Sequence, residues 1–435
     1  MWQRQNFTFP LLRRFYGYYD IFYLLIFFFF SLRSIFFSLR GVPLHILFRK
    51  ESIMKVLFNR HEISEAVAPL MCAVSGKSTL SAVEGILIDA RENQTCIMTT
   101  FDLEKGMRIQ VAAEVKEPGC YVINAQKFVQ TLRVMEGDFV TLTVNESNQA
   151  CISSGTSSHR MNAISGNDYP VVPRLVTEDG FIISQAILKE MIGKVMYAMA
   201  VNDQRPMLNG CYFKVEEGKI TAVACDSFKL AKCSATAEIE NKKEDGTALK
   251  FDFIIPTKTV NELYKLLRDE DETVRIYLSR KNIVFNIGEM VFFSRLIEGQ
   301  YIDYNRIILQ NHRIFATCNK EKLIAALERA ALVTEEKVAG SVRSHVKLDF
   351  EGDLLKISAL SAQGSTYDEI KIIHEGDDLG IAFNNRFLID SVRSIDTEEL
   401  KISMSSALTS INVEPVKEDD GKEDLFMLLP VRMKE

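Results

Sequence analysis

CYVINAQKFVQTLRVMEGDFVTLTV, residues 120–144, reads as a strand, a short amphipathic helix, an acidic turn and a second strand. The same succession returns as DFIIPTKTVNELYKLLRDEDETVRIYL at 252–278 and as GIAFNNRFLIDSVRSIDTEELKISM at 380–404. Lys127, Lys258 and Arg386 take the same place in the three copies, 131 and 128 residues apart, so the repeating unit is a whole domain rather than a solenoid turn.

Upstream of each copy lies a further helix signal. It is carried by Ile187/Leu188, Met191/Ile192 and Val195/Met196 in the second copy, and by Leu323/Ile324, Leu327 and Ala330/Ala331 in the third. In the first copy Ile63, Ala66, Val67, Leu70, Met71 and Val74 recur at three-and-four spacing, which predicts a helix running to Val74. Alternating strands follow: EGILIDA (84–90), NGCYFKVEEGKITAVACD (209–226) and SHVKLDFEGDLLKISAL (344–360). Each copy is therefore an α+β domain, with antiparallel sheets outside and two helices packed on one side. Boundaries near YPVVPRLVTEDG (169–180) and ILQNHR (308–313) give domains of 54–173, 174–309 and 310–435.

The chain has 435 residues and a net charge of −6. Residues 1–53 hold seven Lys/Arg and two Asp/Glu, which leaves −11 on the rest. An acidic body argues against indiscriminate nucleic-acid binding. Its second helices depart from that balance: Lys127, Arg133, Lys258, Lys265, Arg268, Arg386 and Arg393 stand against Glu262 and Asp390. Cations at one repeated position share a surface, where they would follow a phosphate backbone without reading bases.

Eight cysteines (Cys72, Cys96, Cys120, Cys151, Cys211, Cys225, Cys233, Cys318) form no C-x-x-C and read as reduced core residues of a cytoplasmic protein. The six histidines form no H-x-x-x-H, and no G-x-S-x-G elbow occurs. No metal, cofactor or catalytic nucleophile is expected.

Gly76-Lys77-Ser78-Thr79 ends like a nucleotide-binding P-loop, but Met71 stands where the loop's first glycine is required, and the preceding pattern is helical rather than a strand. A P-loop enzyme is the weaker reading of this stretch. Residues 1–53 differ from everything after them, with eleven of the 28 phenylalanines and no alanine. Their uninterrupted apolar run, Ile21–Phe30, is too short for a spanning helix. Three readings stand: upstream sequence translated from an early start codon, a membrane anchor or interfacial segment over 15–39, or a cleaved signal. An anchor would make the chain a membrane-attached binding protein.

From Met54 onward the chain resembles the β subunit family of bacterial DNA polymerase III, the sliding clamps. The resemblance is carried in family order by MKVLFNR, SGKSTLSAVEGILIDA, TTFDLE, EPGCYVINAQKF, RPMLNG, ACDSFKLA, FIIPTK, SRLIEGQYIDYNRII, AFNNRFLID and FMLLPVRM. Family members begin at the position of Met54. The resemblance implies a non-catalytic processivity factor: a homodimer of three-domain subunits closed head to tail into a six-domain ring around duplex DNA. Partners are the polymerase α subunit, a separate ATP-driven clamp loader and other replication or repair proteins. Lys77 and Asn202 join the basic helix residues as expected DNA contacts.

The resemblance also implies a peptide groove between the second and third domains. Carried over, its wall is Arg205, Met207, Leu208, Cys225, Ser227, Phe228, Lys229, Leu230, Ile302, Arg306, Ile307, Asn384, Phe387, Leu408, Ser410, Met427, Leu429, Pro430 and Val431. Cys225, Phe228 and Ile302 depart from the family's usual threonine, histidine and proline. At the ring interface the matching residues are His159 and Met161 on one side, Leu332 and Val333 on the other, with His159 where an aromatic hydrocarbon is common.

Overall fold

The computed structural model describes residues 52–435 except 77, 93, 176, 178, 237–249, 271, 335–344, 362–363, 417–421 and 433–435. The readings of the N-terminal extension fall outside these residues as far as 51. Ser52 opens the strand Ser52–Asn59, two residues ahead of Met54. Lys77 also lies outside them.

Three helix pairs repeat along the chain: α1 (Arg60–Val67) and α2 (Ala125–Val134), α3 (Gln185–Val195) and α4 (Thr257–Leu266), α5 (Lys320–Thr334) and α6 (Asn385–Arg393). Asparagine side chains start four of them, Asn319 accepting from Lys322 N–H at 3.1 Å at the head of α5. Asn59 accepts from the His61 and Glu62 amides at 3.0 and 3.2 Å, Asn124 from Lys127 N–H at 3.1 Å and Asn384 from Phe387 N–H at 3.2 Å. The expected helix to Val74 stops instead at Val67. Pro69 has no N–H to continue the ladder, and Pro69–Ala73 tightens into a 3-10 turn. The stretch Gly76–Thr79 therefore follows a 3-10 turn and precedes another at Ser81–Glu84, not the strand and helix of a P-loop.

The second helices bury matching stripes: Ala125, Phe128, Val129 and Leu132 in α2 against Asn385, Leu388, Ile389 and Val392 in α6. This register corrects the sequence alignment. Lys127 is the third residue of its helix, whereas Lys258 and Arg386 are the second of theirs. The shared basic position lies in the last turn, where Arg133, Lys265 and Arg393 are each the ninth residue. A cation in the last turn also complements the helix dipole.

Two continuous antiparallel sheets of 13 and 12 strands run across the repeats. Between repeats, the joint has one plan. With strands counted from the first helix of each repeat, the third strand of the first repeat, β1 (Lys105–Ala112), pairs with the last strand of the second, Met290–Arg295, placing Lys105 opposite Ser294 and Gly106 opposite Phe293. The third strand of the second repeat, Lys229–Thr236, pairs with the last strand of the third, Glu423–Leu428, placing Lys229 opposite Leu428 and Leu230 opposite Met427. Each third strand enters from the same turn. The Asp102 carboxylate accepts from the Glu104 and Lys105 amides, that of Asp226 from the Phe228 and Lys229 amides, and each aspartate ion-pairs with its lysine. Leu103 and Ser227 take φ of 80° and 81° within these turns.

The two joints are filled differently. At the first, a Cβ on Gly106 would sit 2.1 Å from Phe293 Cζ, so only glycine lets that ring lie flat against the strand. Phe101 packs at 5.9 Å from the same ring. At the second, Cys225 and Met427 stand in the cluster. The second joint is also pinned by charge: the Lys194 ammonium reaches Glu190 and Asp424 at 2.8 Å each and contacts Asp396. Burial alone would lower the pKa of Lys194, but the hydrogen bonds to Asp396, Asp424 and Glu190 outweigh it and hold it well above the ordinary lysine value. All eight cysteines are free thiols, as their spacing suggested.

Candidate functional site

A small core separate from the main one forms at the second joint from Ala200, Leu208, Val223, Cys225, Leu230, Ile254, Tyr301, Ile308 and Met427, with Met207 and Ile302 packed against it. Six of the groove residues expected from sequence are thus in one cluster: Met207, Leu208, Cys225, Leu230, Ile302 and Met427. They form its floor. Leu208, Leu230 and Met427 are at most 3% exposed, so they are closed in rather than open to a ligand.

The rim is different. Phe228, Ile307, Leu408, Leu429 and Val431 are exposed, Leu408 to 73% and Phe228 to 62%. Backbone hydrogen bonds hold the C-terminal wall: Leu429 N–H donates to Phe228 O at 2.9 Å, and Val431 N–H to Ala382 O at 2.8 Å, with Pro430 half-buried between them. Exposed large apolar side chains around a rigid apolar floor are a surface suited to a short apolar segment.

Several polar groups in the expected wall are already engaged. The Arg205 guanidinium holds Asp203 at 3.0 Å through two nitrogens and donates to Ser227 Oγ. These bonds keep the Asp203 carboxyl well below the usual range, to about 2. Arg306 pairs with Asp303 at 3.0 Å. The Lys229 ammonium, buried, pairs with Asp226 and lies 4.0 Å from the Phe387 ring centroid. Asn384 is spent on capping α6, and Ser410 is buried. Burial raises the Cys225 pKa, so a neutral thiol contributes to the floor as a small apolar group.

One feature below the floor escaped sequence reading: the Tyr212 and Tyr301 rings stack with centroids 5.0 Å apart. Tyr301 follows the Gly299 turn in the connector between repeats, and no periodicity marks it as buried.

The proposed DNA contacts lie on the helix side. Lys127, Arg133, Lys258, Lys265, Arg268, Arg386 and Arg393 are all exposed, as is Asn202, whose φ is 57°. Lys258 faces Glu104 at 3.8 Å, Lys265 faces Glu262 at 3.0 Å and Arg393 faces Glu328 at 2.6 Å. Lys127, Arg133 and Arg386 form no ion pair among the described residues. Arg268 lies just beyond α4, its amide donating to Gln185 Oε1 at 3.1 Å.

Two strands of the kinds that make the internal joints have a stretch paired on one side only among the described residues. In β2 (Ser157–Ser165), residues 157–162 pair only with Gln149–Ser154. In Ser365–Glu375, residues 365–371 pair only with Leu354–Leu360. These are the last strand of the first repeat and the third strand of the third repeat, the same two kinds of strand that make both internal joints. Two-residue turns close Ser154 on Ser157 and Ile287 on Met290, so His159 stands where Phe292 stands. Phe292 is 0% exposed, whereas His159 is exposed with Nδ1 2.7 Å from Thr131 Oγ1. Met161 points into the core of its own repeat at 8% exposure, so only its backbone is available at this edge. Leu332, at 83%, and the less exposed Val333 lie near the end of α5.

Three family models match in order: the N-terminal domain of the DNA polymerase III beta subunit at residues 54–173, its central domain at 182–303 and its C-terminal domain at 305–430. The chain belongs to the DNA polymerase III beta subunit family. The beta sliding clamp of Staphylococcus epidermidis is 30% identical over 372 residues, covering 83% of this chain and 94% of that protein. Among solved structures, the sliding clamp of Bacillus subtilis is 25% identical with a TM-score of 0.81, covering 88% of this chain and 100% of that one. A sliding clamp of Pseudomonas aeruginosa bound to griselimycin is 26% identical with a TM-score of 0.77, covering 87% and 100%. The chain is a sliding clamp, a non-catalytic processivity subunit of DNA polymerase III.

Proposed function

We propose that two copies of this chain close head to tail into a ring around duplex DNA in the cytoplasm, and that the cluster at the second joint seats short apolar segments of the replicative polymerase, the clamp loader and other replication or repair proteins. The observation that carries the reading is the pair of unpaired strand edges. Both internal joints use a third strand against a last strand, and one strand of each kind is left without such a partner, so a second copy supplies what each lacks. The helices then face inward, with Arg133, Lys265 and Arg393 repeating at one helical position toward the phosphates. Contacts to phosphate alone leave the ring free to slide, because no base sequence is preferred. Among the described residues no helix is long and apolar enough to cross a membrane.

Sizing by sedimentation tests the ring. The full chain should run as a dimer at micromolar concentration, and Leu332→Asp should shift it toward monomer without loss of folding, since that side chain is exposed in the single chain. A monomer at all concentrations in the parent chain would overturn the reading.

A further inference from the structure

This inference rests on the ring proposed above. Lys194 is the tenth residue counted from the start of α3, and Arg329 the tenth from the start of α5. Asp396 is the twelfth counted from the start of α6, and Glu136 the twelfth from the start of α2. Inside the chain, at the joint of the second and third repeats, Lys194 reaches across to Asp396. Three residues on, Tyr197 bonds Ser391 Oγ at 2.9 Å and packs 6.4 Å from the Phe426 ring. Ser391 is the seventh residue of α6, and Thr131 is the seventh of α2.

At the chain's free ends the same positions are filled but unmatched. Leu332 stands at the position of Tyr197, and Thr131 with His159 stands at that of Ser391 with Phe426. The joint of the first and second repeats shows that a cation facing an anion is not automatic there. Pro69 and Arg268 occupy its tenth and twelfth positions, and they form no pair.

We propose that Arg329 pairs with Glu136 of the partner subunit across each seam of the ring, as Lys194 pairs with Asp396 within the chain. The guanidinium is already aimed. It holds Asp368, on the unpaired edge strand, through Nε and Nη2 at 3.0 and 2.7 Å. Its five N–H donors leave room for a second carboxylate. Glu136 is exposed, and its carboxylate has no hydrogen bond or ion pair among the described residues. Its backbone carbonyl accepts from Ser154 Oγ, which fixes the turn that presents it. Both halves of the pair are therefore oriented before the subunits meet, and closure forms two such pairs.

The test is a charge exchange in the full chain, read as the dimer dissociation constant by sedimentation at low salt. Glu136→Lys places like charges at both seams and should weaken the dimer about tenfold or more. Arg329→Glu should weaken it too, partly through loss of its hold on Asp368. The double variant should bind more tightly than Glu136→Lys alone, because the exchanged charges attract again. A double variant no tighter than Glu136→Lys, or a Glu136→Lys dimer as tight as the parent, would overturn the pair while leaving the ring intact. A parent chain that is monomeric would overturn the ring itself.

Discussion

The Lys194 ammonium and the Asp424 carboxylate lie 2.8 Å apart, each side chain 5% exposed, on elements of two different repeats. Removing one member strands the other charge in an apolar joint. Lys194→Met should therefore destabilise the chain by about 3–5 kcal/mol, the usual cost of breaking a buried pair from one side. Replacing Lys194 and Asp424 together by apolar residues should recover part of that loss, and thermal or denaturant unfolding of the three variants reads it directly.

The same cluster sets an acid limit. Burial alone would raise the pKa of Glu190, but hydrogen bonds from Lys194 and Lys422 outweigh it, so its folded-state pKa lies below the ordinary glutamate value. A depressed carboxylate stabilises the fold fully above its unfolded pKa, and that contribution is lost as pH falls through the folded value. As pH falls below the ordinary glutamate range, denaturation midpoints should thus drop with a steeper slope in the parent chain than in Glu190→Gln.

For the groove, floor and rim separate experimentally. Leu208→Ala removes a side chain that is 1% exposed and should cost about 2–5 kcal/mol of stability. Leu408→Ala and Phe228→Ala trim exposed rim residues and should leave stability within about 0.5 kcal/mol. If the rim seats a partner, each rim variant should weaken a polymerase-derived peptide by about fivefold or more in a calorimetric titration. Full peptide affinity in both rim variants would move the site elsewhere.

DNA contact by the ninth helical position has its own signature. Replacing Arg133, Lys265 and Arg393 by alanine should lower duplex affinity and flatten the plot of log affinity against log salt, by about 0.9 for each phosphate that is no longer neutralised. Among the three, Arg133, which forms no ion pair among the described residues, should change the slope most on its own, since Lys265 and Arg393 already face Glu262 and Glu328.

Much of this was readable in the residues alone. Three copies of strand, helix, turn and strand defined the repeats, whereas Leu208, Cys225, Leu230 and Met427 were expected together only through the family resemblance. The shift of Lys127 by one helical position was legible too, since Ala125, Phe128, Val129 and Leu132 match Asn385, Leu388, Ile389 and Val392. The end of α1 was announced by Pro69, against an apolar spacing that continued past it. Floor and rim could not be told apart. Leu208 and Leu408 are the same residue type, and only the meeting of strands from two repeats covers one and leaves the other open.

Phe293 and Gly106 bear on how many guests the ring receives. The first joint repeats the turn, strands and pairing of the second, yet its interior is filled from within by the Phe293 ring lying against a glycine, with Phe101 beside it. On the function proposed above, it is the exposed rim of the second joint, over the floor of Cys225 and Met427, that receives an incoming segment. A two-chain ring on this plan has six joints but a valency of two, so a polymerase and one further protein can be berthed together and a third must wait for a vacancy.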